Sequence, residues 1–250
     1  SCSMSKTNAD LAFMAGSEKD TLWLGPAGTD LSTITNLTTA MPAGMVDVGW
    51  LSEDGMGLGM SDSVDKVRGH QGHGVVRTYM SESSTTFKAS LLESKLELLK
   101  RYLGVLKTEK VTAGTSSITR MEVSTSRKVE GLVGVADLFD VSTGKQRRYV
   151  FKRLELGERS DISYKVGELT VYEYNLEVLD GYVLLTDEEG LKVVGPLVSH
   201  PRAVSVLPAR GWASHPWRTD NLTDSLFRRT DHHGYQDHHR PQDHQGPFRR

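Results

Sequence analysis

Apolar and polar residues alternate with a period of two over several short stretches of this chain, the pattern of half-buried β-strands. Val46, Val48 and Trp50 alternate with Asp47 and Gly49; Phe87, Ala89 and Leu91 alternate with Lys88 and Ser90. Thr119, Met121 and Val123 alternate with Arg120 and Glu122. In the stretch Glu168 to Leu179, Thr170, Tyr172, Tyr174, Leu176 and Val178 share one face, and Val171, Glu173, Asn175 and Glu177 the other. Val129 to Phe139 is apolar on both parities, which predicts a strand covered on two sides. Gly131 and Gly134 inside it predict a bulge or a close backbone approach.

One segment has the helical period instead. Leu92, Leu96, Leu99 and Leu103 fall at i, i+4, i+7 and i+11, a narrow stripe for docking a helix of about 92–103 on a sheet. Glu93 in its first turn and Lys100 and Arg101 in its last match the helix dipole. Glu97 can pair with Arg101, and Gly104 follows as a C-terminal cap. The pattern predicts a mainly β protein with one flanking helix.

Composition divides the chain. From Val193 to Arg250 there is no Lys, Glu, Met or Ile, while Arg, His, Asp and Pro become common. Eight arginines and five aspartates lie beyond residue 199, which leaves 22 basic and 27 acidic residues before it, about five net negative charges. The segment 196–250 has too little apolar periodicity for a core and is expected to be a flexible or partner-ordered tail. A shifted reading frame in GC-rich coding sequence yields such a composition, which comparing the gene's frames around the Val193 codon would test. The 24 glycines point to many turns, and an overall charge of -2 argues against an electrostatic nucleic-acid binder. The single cysteine, Cys2, excludes an intrachain disulfide framework. No run of about 18 apolar residues suggests a membrane span, and the first twenty residues lack the apolar core of a secretion signal. The expectation is a protein made in a reducing cytoplasm, with no membrane partner.

Candidate chemistry is sparse. The cluster Gly55-Met56-Gly57-Leu58-Gly59 lacks the spacing of a dinucleotide fingerprint and has no Gly-Lys-Ser/Thr, so it reads as a flexible loop. No Gly-x-Ser-x-Gly elbow and no His-Glu-x-x-His occurs. His70 and His73 form His-x-x-His, chemically able to bind a metal. Without an acidic or Cys partner at a zinc-site spacing, they read better as polar residues at a loop-to-strand junction. The tail histidines, His232, His233, His238, His239 and His244, read as a polar tract. Asp187, Glu188 and Glu189 read as a solvated acidic turn. Arg147, Arg148, Lys152 and Arg153 form the one local basic cluster of the body, interleaved with Tyr149, Val150 and Phe151. A solvated or subunit-contact face is favoured there over a nucleic-acid platform. No cofactor and no catalytic residue is predicted.

The order of segments from Ala43 to Gly104 is more specific. Val-Asp-Val-Gly-Trp-Leu-Ser-Glu-Asp-Gly at 46–55 is followed by a polar, Gly-rich stretch, then Val75-Val76-Arg77, then Thr86-Phe87-Lys88-Ala89-Ser90-Leu91-Leu92-Glu93 and a helix closing on Tyr102-Leu103-Gly104. This order resembles the major tail (tail tube) proteins of long-tailed siphophages that infect actinobacteria, over about Met4 to Gly195. The resemblance implies a β-sandwich or partial-barrel tail-tube fold with a helix on one flank. It further implies hexameric rings whose strands join into a continuous inner barrel, stacked into a tube that conducts DNA into the host. The implied partners are copies of the same chain, the tape measure protein, and the tail terminator and distal tail proteins; DNA passes through without specific binding. By position, an N-terminal arm (1–22) and a long loop (53–74) of a tube domain (23–195) would contact neighbouring subunits. That makes Trp50, Glu53, Asp54, Gly55, Met56, Leu58 and Met60 contact candidates, with Leu92, Leu96, Leu99 and Leu103 packing the helix. The family's C-terminal appendages are often immunoglobulin-like, and here residues 196–250 depart from that pattern. The same composition also suits a capsid decoration or head–tail connector subunit, or a DNA-binding module using the Arg147–Arg153 face.

Overall fold

A computed structural model describes residues 7–193 and 195; the Arg/His-rich tail from residue 196 lies outside them. The described chain is mainly β with a single α-helix. In chain order the strands are β1 (Thr21–Pro26), β2 (Val46–Asp47), β3 (Leu51–Arg68) and β4 (Val75–Leu91), then helix α1 (Leu96–Leu103). There follow β5 (Val105–Ala113), β6 (Ser116–Val123), β7 (Glu130–Phe139), β8 (Gln146–Arg159), β9 (Tyr172–Val178) and β10 (Val183–Thr186). Eight strands form one open antiparallel sheet, seven in the order β2-β1-β7-β8-β9-β4-β3 and β10 joined to β8. β10 lies beside Arg147–Val150 of β8, on the side where β9 meets its later half, Leu154–Arg159. β5 and β6 make a separate two-stranded ribbon.

Period-two alternation buries one face of the sheet. Phe87, Ala89 and Leu91 of β4 join Tyr172, Tyr174, Leu176 and Val178 of β9 in one core, with Leu22 and Leu24 of β1 and Phe151, Leu154 and Leu156 of β8. The opposite face of β7 and β8, carrying Val133, Val135 and Val150, is covered by Leu31 and Ile34 of the long connection after β1, with Met41 and Met45 against them. β7 is thus covered on both sides, as its unbroken apolar run predicts. Its ladder with β8 slips between Leu132↔Leu154 and Gly134↔Phe151, with the extra residue on β8 rather than on the glycine-bearing strand. A side chain at Gly134 would come within 2.8 Å of Leu154 Cδ1.

The helix differs from the leucine-stripe expectation. It starts at Leu96, and the residues it buries are Leu98 and Tyr102, flanked by partly buried Leu99 and Leu103. Leu92 lies before the helix and donates its N–H to Trp50 O (3.0 Å), while Leu96 is exposed. Tertiary hydrogen bonds set this phase. Tyr102 Oη donates to Ser160 O (2.7 Å), and Tyr174 Oη of the sheet donates to Leu98 O (2.5 Å). Glu93 accepts from Trp50 N, so it is not a first-turn residue, and Glu97 pairs with Lys100 rather than Arg101. Gly104 does cap the helix in the left-handed region, its N–H donating to Lys100 O.

The segment 53–74, expected as a long loop, is most of the first strand and the turn of a β-hairpin. β3 pairs with β4 from Leu51↔Leu91 out to Arg68↔Val75, and the turn proper is Gly69–Gly74. Met56, Leu58 and Met60 do alternate, but the intervening glycines hid a strand whose partner supplies the pairing. The predicted strand Val46–Trp50 contracts to Val46–Asp47, because Gly49 turns the chain at φ 78°.

Candidate assembly surface

Two hairpins stand clear of the core. In β3–β4 only the root is covered: Met56 and Leu58 pack against the core beside Phe87 and Ala89. Met60–Arg68 and Val75–Ser83 are exposed throughout, an extension of about 30 Å at the usual strand rise. Met60, Val64 and Met80 nevertheless present large apolar side chains to solvent, with Val64 paired opposite Met80. β3 is also the last strand of the sheet, so its outer backbone edge is unpaired among the described residues. The β5–β6 ribbon is similar, with Leu106, Val111, Ile118 and Val123 exposed and a Lys107–Glu109–Arg120–Glu122 ion network near its root.

Between Leu51↔Leu91 and Met56↔Ala89 the β3 strand advances five residues while β4 advances two. Ser52–Gly55 therefore bulges from the sheet edge, carrying the exposed Glu53 and Asp54, with Gly55 at φ 59°. Trp50, just before it, is 74% exposed although its backbone is tied down. Its N–H donates to Glu93 Oε1 (2.9 Å), its carbonyl accepts from Leu92, and Gly49 N donates to Asp47 Oδ1 (2.8 Å). The hydrogen bond from Trp50, with Lys95 nearby, holds the Glu93 carboxyl below its ordinary value. Of the contact candidates, Met56 and Leu58 are thus engaged in the subunit's own core, while Trp50, Glu53, Asp54 and Met60 face outward.

The residues ahead of β1 are tied to the sheet at Phe13, Met14 and Asp20. Asp140 accepts from Met14 N (2.7 Å) and from Thr143, and Asp20 accepts from Phe139 N (2.8 Å). The Arg147 guanidinium lies 4.3 Å over the Phe13 ring and makes a two-pronged ion pair with Glu188. The acidic turn is therefore not simply solvated: Asp187 accepts from Gln146 N, and Glu189 pairs with Lys145 and Lys192.

The basic cluster is largely neutralised as well. Arg148 is buried on Asp137, Arg147 is on Glu188, and Arg153 reaches Glu155 and Asp180. The alternation of β8 puts these guanidiniums within reach of carboxylates on neighbouring segments, which the linear sequence could not show. His70 and His73 sit in the tip turn, where Arg68 donates to His73 O (3.1 Å) and His73 has φ 55°. Among the described residues no three His, Cys, Asp or Glu side chains gather as a metal set.

The described residues thus form a mainly β molecule with an unpaired sheet edge and two uncovered hairpins. The family model for phage tail tube proteins matches residues 7–184, and the chain belongs to that family. No curated protein matches it. It is a structural component of the virion tail, in a family not known as enzymes, and its partners are copies of itself and other tail components. None of the helices among the described residues is long and apolar enough to cross a membrane.

Proposed function

We propose that copies of this chain close into hexameric rings and stack into the tail tube of a siphophage, through which DNA passes on ejection. The observation that carries this reading is the pair of hairpins, β3–β4 and β5–β6, which expose apolar side chains and free backbone edges that a single subunit leaves uncovered. Joining such edges between subunits removes the template for disordered aggregation. A conduit must not hold its cargo, since each phosphate neutralised by Lys or Arg adds salt-dependent affinity. The net negative body and the pairing of Arg147, Arg148 and Arg153 with carboxylates support a passage over which DNA slides. In this reading residues 1–22 are an arm, residues 23–195 the tube domain, and residues 196–250 an appendage. The tape measure protein would occupy the lumen before ejection, and tail terminator and distal tail proteins would meet the tube's ends. Electron microscopy of the purified full chain tests it: stacked six-fold rings or hollow tubes are expected. Isolated trimers, or monomers at every concentration, would sink it.

A further inference from the structure

Two surface patches on this chain carry complementary charge. The first is Trp50 with the edge bulge that carries Glu53 and Asp54. Here an aromatic side chain is presented on a backbone fixed by hydrogen bonds, beside two exposed carboxylates that have no ion-pair partner among the described residues. The second lies at the root of the β5–β6 ribbon. Val105 faces Val123 and Lys107 faces Glu122, so Leu106 is squeezed out of the ladder and is 75% exposed. The chain leaving β6 folds back over this root, with Ser124 N donating to Gly104 O (3.1 Å). It brings Arg127 so close that a side chain at Gly104 would meet Arg127 Cγ at 3.2 Å. Arg127 and Lys128 are exposed and also lack a carboxylate partner among the described residues.

Resting on the tube reading above, we propose that the Trp50–Glu53–Asp54 patch of one copy docks on the Leu106–Arg127–Lys128 patch of a second copy. The opposite signs identify a second copy as the occupant, because the chain carries both halves of the match. When each copy offers its second patch to a further copy, the contact is heterologous and propagates into a ring or a filament, as the tube reading requires; only a reciprocal exchange of both patches would close a two-fold dimer. A rigid tryptophan flanked by charge has the composition of an interface hot spot, and an arginine can stack on its face. Glu93 and Gly49 serve as positioning residues, holding the Trp50 backbone without entering the contact.

Charge reversal with rescue tests this on the full chain. Glu53→Lys with Asp54→Lys, and separately Arg127→Glu with Lys128→Glu, should each raise the critical concentration for polymerisation about tenfold or more. Combining all four substitutions in one chain should restore it to within about threefold of wild type. Trp50→Ala should weaken assembly comparably while leaving the monomer's circular dichroism and melting unchanged, since the side chain is mostly solvated. If either reversed pair polymerises like wild type, or the combined chain does no better than the weaker pair, the contact is overturned. In both cases wild type still forms tubes and the tube reading stands. If wild type itself forms no polymer, the tube reading fails and this contact with it.

Discussion

Arg148 and Asp137 sit directly opposite each other on β8 and β7 and form a buried, two-pronged ion pair, with Nε–Oδ1 at 2.6 Å and Nη2–Oδ2 at 2.7 Å. The remaining guanidinium donor reaches Thr39 O (2.8 Å) and Asn36 O (3.1 Å), and Gln146 Nε2 adds a bond to Asp137 Oδ1. The pair thereby ties the long connection after β1 to the sheet it covers. Arg148→Ala would strand a buried carboxylate and two carbonyls, and should cost about 3–5 kcal/mol in urea unfolding. Arg148→Met with Asp137→Leu should cost less than the single change, because no buried charge is left unpaired. If the double variant is the less stable of the two, the pair's role has been misjudged.

Gly49 is constrained twice, by φ 78° and by the Glu93 carboxylate, with which a β-carbon there would collide. Gly49→Ala should therefore destabilise by about 2–3 kcal/mol, combining left-handed backbone strain with loss of the Glu93–Trp50 bond. Gly28→Ala is the control: its φ of 86° is similar, but its surroundings are open. It should cost only about 1–2 kcal/mol, the backbone strain alone. Equal losses in chemical denaturation would refute the steric part of the argument.

Glu188 is held below its ordinary value of 4.5, first by its hydrogen bond from Arg147 and then by Thr186, against the opposing effect of burial. A carboxylate with a lowered value in the folded state contributes stability that is complete above its unfolded value. That stability is lost as pH falls through the folded one. Wild type should thus lose melting temperature below about pH 4.5 more steeply than Glu188→Gln. Hydrogen exchange around Phe13 and Met14 should rise over the same range as Arg147 loses its partner. Parallel melting curves for the two proteins would contradict this.

Burial raises the Tyr174 hydroxyl well above its ordinary value of 10.0, and raises Tyr102 in the same direction. The sign is opposite to that of Glu188. The neutral phenol's contribution is intact below pH 10 and declines as alkalinity ionises the unfolded chain first. Absorbance titration should show tyrosines that ionise only together with unfolding. Tyr174→Phe removes the donor to Leu98 O and should cost about 1–1.5 kcal/mol, with faster amide exchange concentrated in α1.

Strand alternation at Phe87–Leu91 and Tyr172–Val178, the doubly covered strand β7 with its close approach at Gly134, the Gly104 cap and the family were all legible in the linear chain. Each rests on local periodicity or on the order of residues along one segment. The helix phase was not legible, because Leu98 and Tyr102 are selected by hydrogen bonds from Tyr174 and to Ser160, far away in sequence. The hairpin hidden in 53–74 escaped for a related reason. Glycine, serine and aspartate carry no strand signal, and only pairing with β4 makes that segment a strand. Likewise, the basic run on β8 looked free until folding set Asp137 and Glu188 against it. Sequence by itself determined the β class and the absence of any recognisable catalytic motif, since both are written in local pattern. Which side chains are spent within the subunit and which are left to meet another copy was decided by tertiary structure. Burial and ion pairing depend on residues that chain order keeps far apart.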